Sequence, residues 1–440
     1  MYKVGMVSLG CPKNQVDAEM MLKTLKDAGF SIVNEESEAD AIIVNTCGFI
    51  ESAKKEAIEN ILEAVQYKKS GKCRAVIVTG CLAERYREEI LKEIPEADAC
   101  VGIGENGNIA KITENAIKGS GGDFFADKAL LNLSGDRILG GVPFTTYLKV
   151  GDGCDNCCTY CAIPKIRGRM RSRTIEDCVA EARRLADRGV TELIVVAQDT
   201  TAYGTDIYGS PKLCELLSEL CKIEKLHWIR TLYTYPERIT DDFLELLNRE
   251  PKLCKYIDMP IQHCVGGVLK RMNRKGDEQS LRALIKRIRE KVPDVTLRTT
   301  LITGFPGETQ EDFEALHKFV NDMRFERLGC FTYSAEEGTV AAGMPDQIDE
   351  QTKIDRMELI MQSAATIAEQ QNREKIGKTA EAIVEGFDDY IKCYYGRTAA
   401  DAPEIDGKIF FTSGRALVFG EYVKLRITDV LEYDLLGELI

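Results

Sequence analysis

Cys154, Cys158 and Cys161 stand in the stretch KVGDGCDNCCTYCAIP, with three and then two residues between them. Thiolates at that spacing can hold three irons of a four-iron, four-sulfur cube, whereas a closed structural cluster takes four protein ligands. One iron is left open. It suits S-adenosylmethionine, whose amino and carboxylate groups can chelate the metal while an electron from the cluster cleaves a carbon–sulfur bond into a radical. Zinc is the competing occupant, but its motifs pair two short Cys-x2-Cys knuckles or add His, and the surrounding sequence has neither. Cys157 breaks the spacing if it replaces Cys158 and reads as a bystander or an occasional substitute.

A second thiol set is spread through the first quarter of the chain. Apolar runs at 4–9, 41–44 and 75–78 are each followed by helical periodicity, the pattern of parallel βαβ units. The runs end in SLGC, VNTCG and VTGC, so Cys11, Cys47 and Cys81 lie just beyond three predicted strands. In an open parallel sheet the carboxyl ends of strands face one crevice, where three thiolates would converge on a second cluster with an open iron. Buried Cys acting as small hydrophobes is the alternative. A fourth unit carries Gly102, Gly104 and Gly107 in the order G-x-G-x-x-G. It follows neither the first strand nor an arrangement with the required acidic residue, so it reads as a plain glycine turn.

These residues need a scaffold, and the remaining pattern supplies an α/β multidomain one. Residues 1–118 form an open parallel α/β domain, and the glycine-flanked, aperiodic stretch 119–141 reads as a linker. Strand-like runs at 146–150, 192–197, 228–233, 255–259, 295–302 and 327–333 alternate with helical patterns such as 175–188 and 281–291. Six βα units are too few for a closed eight-stranded barrel, so 142–372 is expected to be a partial (βα)6 barrel with its site at the strand carboxyl ends. A helix over 350–376 leads to 373–440, where short β-prone runs and Gly, Asp and Pro turns predict a small antiparallel β-barrel.

Composition narrows the function classes. Sixteen Cys without a charged-then-apolar leader point to reduced thiols, metal ligation and a cytoplasmic protein. There is no apolar run of about 18 residues, so no membrane span is expected. A formal charge of −13 argues against a general nucleic-acid binder, and from 373 to 440 there are 9 Lys and Arg against 13 Asp and Glu, a net of −4. A basic protein is the natural partner of such a module. No heptad seam demands a dimer, and a monomer is expected.

Further candidates flank the first thiol set. Tyr160 lies between two of the Cys, where its ring could cover a cluster, stack near an adenine or simply pack. Gln198 and Asp199 close a predicted barrel strand and read as site groups, with helix capping by Asp199 or Thr200 the competing role. Arg298 sits within an apolar strand and needs an anion, from a cofactor carboxylate or a protein one. The turn 304–308, GFPGE, brings Gly304 where backbone could approach a ligand. Gln262 and His263 follow the fourth strand; His263 reads as a ligand or proton-transfer group, with a structural role, commoner for a lone His, as the alternative. Lys165, Arg167, Arg169, Arg171 and Arg173 read as a solvated face or as a guide for an acidic group.

Taken together, SLGCPKNQVDAE, VNTCGFIESAKKE, VTGCLAERY, the triple-Cys loop with AIPKIRGRMRSR, TGFPGET and the terminal barrel resemble the methylthiotransferase branch of radical S-adenosylmethionine enzymes over essentially the whole chain. The resemblance implies two 4Fe-4S clusters and S-adenosylmethionine as cofactors. It assigns Cys11, Cys47 and Cys81 to an auxiliary, sulfur-delivering cluster and Cys154, Cys158 and Cys161 to the radical-generating one, with the terminal barrel similar to a TRAM module. GCPKN and QH at 262–263, where the RNA-modifying group typically has GCQMN and QSG, resemble the group that modifies an aspartate β-carbon of the twelfth small-subunit ribosomal protein. A low-potential electron donor and a sulfur donor are then implied partners. Ala18 departs from a commoner Ser. Methylthiolation of a transfer RNA adenosine, and a non-catalytic iron–sulfur or zinc protein, are the alternatives.

Overall fold

A computed structural model describes the backbone of residues 1–440 and every side chain except those of Ser70 and Glu88. The amino-terminal sheet comprises β1 (Lys3–Ser8), β2 (Ser31–Ile32), β3 (Ala41–Thr46), β4 (Ala75–Gly80), β5 (Ala99–Val101) and β6 (Gly122–Phe124), all parallel in the order β2-β1-β3-β4-β5-β6. Every residue of β3 and β4 is buried, because helices cover both faces. Ile42, Val44, Val76 and Val78 pack with Ala57, Ile61 and Val65 on one side. Ala41, Ile43, Ala75 and Ile77 pack with Met21, Leu25 and Ile112 on the other. The two-residue side-chain period thus explains why these strands read as unbroken apolar runs.

The central domain follows. Strands β7 (Thr145–Lys149), β10 (Glu192–Val196) and β11 (Trp228–Thr231) form one parallel three-stranded sheet, and β12 (Tyr256–Asp258), β13 (Thr296–Thr303) and β14 (Arg327–Thr332) another. A parallel bridge from Ile229 to Leu253 brings the two together, giving a partial barrel of six strands in chain order. The antiparallel pair β8 (Gly151–Asp152) and β9 (Arg171–Ser172) brackets the triple-Cys loop. Helices Ile175–Asp187, Leu213–Cys221, Asp241–Arg249, Glu278–Lys291 and Gln310–Met323 cover the outside, and four of them are capped by Thr174, Thr240, Asp277 and Thr309.

After the helix Glu350–Arg373, β15 (Thr379–Asp388), β16 (Cys393–Thr398), β17 (Ile409–Thr412), β18 (Tyr422–Leu431) and β19 (Asp434–Leu439) close a barrel in the order β15-β16-β17-β19-β18. It is antiparallel except for β17 and β19, which run parallel. This barrel seats against the starts of the central strands. Arg397 donates to Glu192 Oε2 at 2.6 Å, the Tyr256 hydroxyl to Asp406 Oδ2 at 2.6 Å, and Arg327 pairs with Asp401.

The stretch 119–141 departs from its expected role as a linker. Gly122–Phe124 pairs with β5 as the sixth strand, and Arg137 is 2% exposed between Glu19 of the first domain and Glu181 of the second. An aperiodic sequence here meets its polar needs in partners far along the chain, so it staples two domains. No helix among the described residues is long and apolar enough to cross a membrane.

Candidate functional site

Cys11, Cys47 and Cys81 follow β1, β3 and β4, which are neighbours in the sheet. Because the chain goes from β1 out to β2 and back to β3, Cys11 and Cys47 flank the point where strand order reverses, the usual ligand crevice of such sheets. Gly10 lies at φ +90°, and a Cβ there would fall 2.7 Å from Cys47 Cβ, so only glycine lets the two loops approach this closely. Burial opposes thiolate formation at Cys47 and pushes it up to about 12, with Cys81 adding to the effect. Burial also raises Cys81, although Arg167 opposes it. At Cys11 burial acts upward too and is the largest single influence, but Lys13, Arg167 and the backbone N–H groups of Asn14 and Lys13 together outweigh it and the thiol is lowered.

The other triad lies beyond the carboxyl end of β7. Its loop is tied down from several sides: Cys154 N donates to Gly168 O, Thr159 N to Met272 O, and Ala341 N to Thr159 O at 2.9–3.1 Å. Asn156 Nδ2 donates to Asp199 Oδ2 at 2.8 Å, and Arg238 donates to the same carboxylate. Ile163 N–H points at Cys161 Sγ from 3.4 Å, while the Tyr235 hydroxyl lies 3.8 Å from Cys158 Sγ and Arg274 Nη1 lies 4.0 Å from it. Burial raises Cys154 to about 11 and Cys161 to about 12. Cys157 is exposed at φ +52°, and its carbonyl accepts from Asn273 Nδ2 at 2.9 Å.

The two sets share a wall. Cys81 packs against Ala162 and Ile166, which lie in and just before the short helix Ile163–Arg167 that follows Cys161. That helix ends at Arg167, whose Nη2 donates to Cys81 Sγ at 3.4 Å. The basic run is therefore divided: Arg167 and Arg173 are buried, whereas Arg169 projects into solvent. Neither a uniform solvated face nor a simple guide describes it, because Asp17, Asp152 and Glu181 draw two of its members inward. Between Arg167 and Lys149, Asp152 stays ionised well below the ordinary carboxylate range even though burial acts upward.

The remaining candidates fall into distinct environments. The Tyr160 hydroxyl accepts from Arg274 Nη1 at 3.4 Å, and its ring meets Phe305 edge-on. Gln198 Nε2 donates to Asp152 Oδ1 at 2.7 Å, leaving its Oε1 buried without a partner. Asp199 caps the turn Thr200–Ala202, the competing role expected for it, and its other oxygen also ties down the cysteine loop through Asn156. Arg298 lies early in β13 and is compensated by protein carboxylates, Asp258 at 2.9 Å and Asp406 at 3.8 Å. Gly304 is at φ +69° with its N–H given to Glu308 Oε2 at 3.0 Å, and a Cβ would strike Lys353 at 2.2 Å. Its close approach is to a helix of this chain. Gln262 is at φ +69° and keeps an unpartnered buried Oε1. His263 is fully buried; its Nδ1 accepts from Val265 N–H, and burial with Arg271 and Arg356 lowers it to about 3, so it stays neutral.

Several contributors were not singled out in the sequence: Lys13, Asn14, Asp17, Tyr233, Tyr235, Arg274 and Arg137. Asn14, 1% exposed, donates to Leu9 O at 2.8 Å and accepts from Arg167. Polar residues following a thiol at a helix start, in CPKNQVD, were the available signal.

The thiols suit iron–sulfur cubes. They are gathered in threes, desolvated, and met by N–H groups that would stabilise sulfur bearing negative charge. Among the described residues no three His, Cys, Asp or Glu side chains converge tightly enough for a single metal ion. A cube holds its irons apart on bridging sulfides and accepts thiolates at wider separation.

Comparison with known proteins follows the same division. Residues 3–102 match the uncharacterized protein family UPF0004, residues 148–320 the radical SAM superfamily, and residues 376–440 the TRAM domain. The chain is 48% identical to the ribosomal protein uS12 methylthiotransferase RimO of Desulforamulus reducens, covering 100% of both chains. It is 48% identical to the RimO of Geobacter sulfurreducens over 100% of this chain and 98% of that one, and 47% identical to that of Clostridioides difficile over 100% and 99%. Among solved structures, the radical S-adenosylmethionine methyltransferase TsrM from Kitasatospora setae, with cobalamin and a 4Fe-4S cluster bound, has TM-score 0.56 at 14% identity over 75% of each chain. The cobalamin-dependent radical enzyme OxsB has TM-score 0.50 at 12% identity, over 83% of this chain and 58% of that one. Those two likenesses concern fold.

Proposed function

The chain belongs to the RimO family of ribosomal protein uS12 methylthiotransferases, and on that premise we propose that it attaches a methylthio group to the β-carbon of an aspartate in uS12, the twelfth protein of the small ribosomal subunit. The enzyme is a radical S-adenosylmethionine methylthiotransferase. Cys154, Cys158 and Cys161 would hold one 4Fe-4S cluster, and Cys11, Cys47 and Cys81 the other. When bound, these clusters and S-adenosylmethionine supply one-electron cleavage, a sulfur atom and a methyl group.

The protein's own part is positioning. An aspartate β-hydrogen is too weakly acidic for a side-chain base matched to neutral pH. His263, the one imidazole near this end of the barrel, is buried, neutral and engaged by Val265. Arg274 sits over the Tyr235 ring at 4.2 Å and reaches both Tyr160 and Pro260 O, which fixes the side chains around Cys158. Asp199, Asn156 and Arg238 hold the loop against β10 and β11. The partnerless Oε1 of Gln198, the residue before Asp199, is an acceptor suited to an amino or hydroxyl group of S-adenosylmethionine. Tyr160, held by Arg274 and edge-on to Phe305, offers an aromatic ring near Cys158. Arg298 and Gly304 are occupied by Asp258 and Glu308 and are left out of this set.

The observation that carries the reading is the meeting of two separate cysteine triads across Cys81, Ala162 and Ile166, in a chain that aligns with its relatives from end to end. The acidic terminal barrel supports docking of a basic ribosomal protein. A low-potential electron donor and a sulfur donor complete the partners. Mass spectrometry tests the substrate: uS12 from cells that contain the enzyme carries one methylthio group on an aspartate, and uS12 from cells without it does not. A methylthio group found on transfer RNA instead would sink the assignment.

A further inference from the structure

Arg167 is 1% exposed, and its two terminal nitrogens serve different partners. Nη1 donates to Asp17 Oδ2 at 2.6 Å and to Asp152 Oδ2 at 3.2 Å. Nη2 donates to Asn14 Oδ1 at 3.2 Å and to Cys81 Sγ at 3.4 Å. The two carboxylates offset the guanidinium charge, with Lys149 also pairing to Asp17. What remains directed at the sulfur is a single N–H, held in place by a planar fork whose other branches are already engaged.

Hydrogen bonds to cluster sulfurs are among the levers that set an iron–sulfur reduction potential, because a donor favours the more negative, reduced state. The other triad is met differently: Arg274 stands 4.0 Å from Cys158 Sγ, and its guanidinium is committed to Tyr160, Tyr235 and Pro260 O. Resting on the assignment of Cys11, Cys47 and Cys81 as cluster ligands, we propose that Arg167 is a positioning residue that raises the reduction potential of the auxiliary cluster through its N–H to Cys81, without tuning the radical cluster. Its place at the end of the helix that starts two residues after Cys161 makes this a link built from the radical-cluster loop to its neighbour.

Potentiometric titration followed by electron paramagnetic resonance tests it in the full chain, reconstituted with iron and sulfide. With Cys154, Cys158 and Cys161 replaced by Ala, only the auxiliary cluster is read. Adding Arg167→Gln moves its midpoint to a more negative potential, and Arg167→Lys, which keeps the charge but loses the fork, moves it the same way. In the reciprocal background, with Cys11, Cys47 and Cys81 replaced by Ala, Arg167→Gln leaves the midpoint in place. An unmoved auxiliary midpoint, or equal shifts of both clusters, overturns the proposal; if Arg167→Gln does not fold, Arg167→Lys decides. Failure of the first background to bind iron at all would instead defeat the ligand assignment, and the proposal with it.

Discussion

Lys13 Nζ stands 3.4 Å from the centre of the Tyr233 ring. Lys13 follows Cys11 by two residues, and Tyr233 precedes by two the Tyr235 whose hydroxyl lies beside Cys158, so this contact joins the two thiol sites across a domain boundary. A desolvated cation over an aromatic face is worth about 2 kcal/mol or more. Tyr233→Leu should therefore lose at least that in unfolding free energy, whereas Tyr233→Phe, which keeps the face, should lose much less. Denaturant titration of the two variants checks it, and equal losses would disprove the role of the ring.

The two triads are separable. Replacing Cys11, Cys47 and Cys81 with Ala should halve the iron bound, from about eight to about four atoms per chain. Cleavage of S-adenosylmethionine should persist while methylthiolation disappears. Iron analysis with product assays provides the check, and retained methylthiolation would refute the sulfur role.

Cys157 and Cys158 are neighbours with opposite expectations. Cys157→Ala should leave iron content and activity close to those of the parent, since its side chain is exposed. Cys158→Ala should abolish reductive cleavage of S-adenosylmethionine. A loss in the first variant comparable to that in the second would reverse the ligand assignment.

His263 makes stability fall in acid. Its pKa is lowered to about 3 in the folded chain, so below the unfolded value of about 6.5 the unfolded chain takes up a proton that the folded one refuses. Stability attributable to this residue is present above pH 6.5 and declines by up to about 1.4 kcal/mol per pH unit as the pH drops toward 3. His263→Asn can still accept from Val265 N–H but does not titrate. Its unfolding midpoint should depend less on pH between 5 and about 6.5 than the parent's, and parallel profiles would exclude this origin.

Arg137 binds the first domain to the second through Glu19 and Glu181. Arg137→Leu leaves the buried Glu19 carboxylate without its cation, while Glu181 keeps Arg173, and should cost about 3–5 kcal/mol. Thermal unfolding should also separate into two transitions, observable by calorimetry.

The scaffold and both triads were legible because their signals are local. β3 and β4 are buried on both faces, so their apolar runs stand out, and each thiol follows a strand directly. β2 and β6 were missed because two or three residues containing Ser, Gly and Asp carry no alternation. Arg167 and Arg137 could not be placed, since a buried guanidinium depends on carboxylates such as Asp17 and Glu19 more than a hundred positions away. The positive φ of Tyr233 and Gln262 likewise follows from packing around them and leaves no trace in residue type.

The terminal barrel plugs the floor of the central one, at the beginnings of its strands, while the cysteine loop crowns the opposite rim. The eight residues of β13 span roughly 26 Å between these two levels. On the proposed docking at the terminal barrel, a macromolecule gripped from below would have to present its reacting atom above on a long protruding finger of chain, and reach would then select what is modified before any side chain in the crevice does.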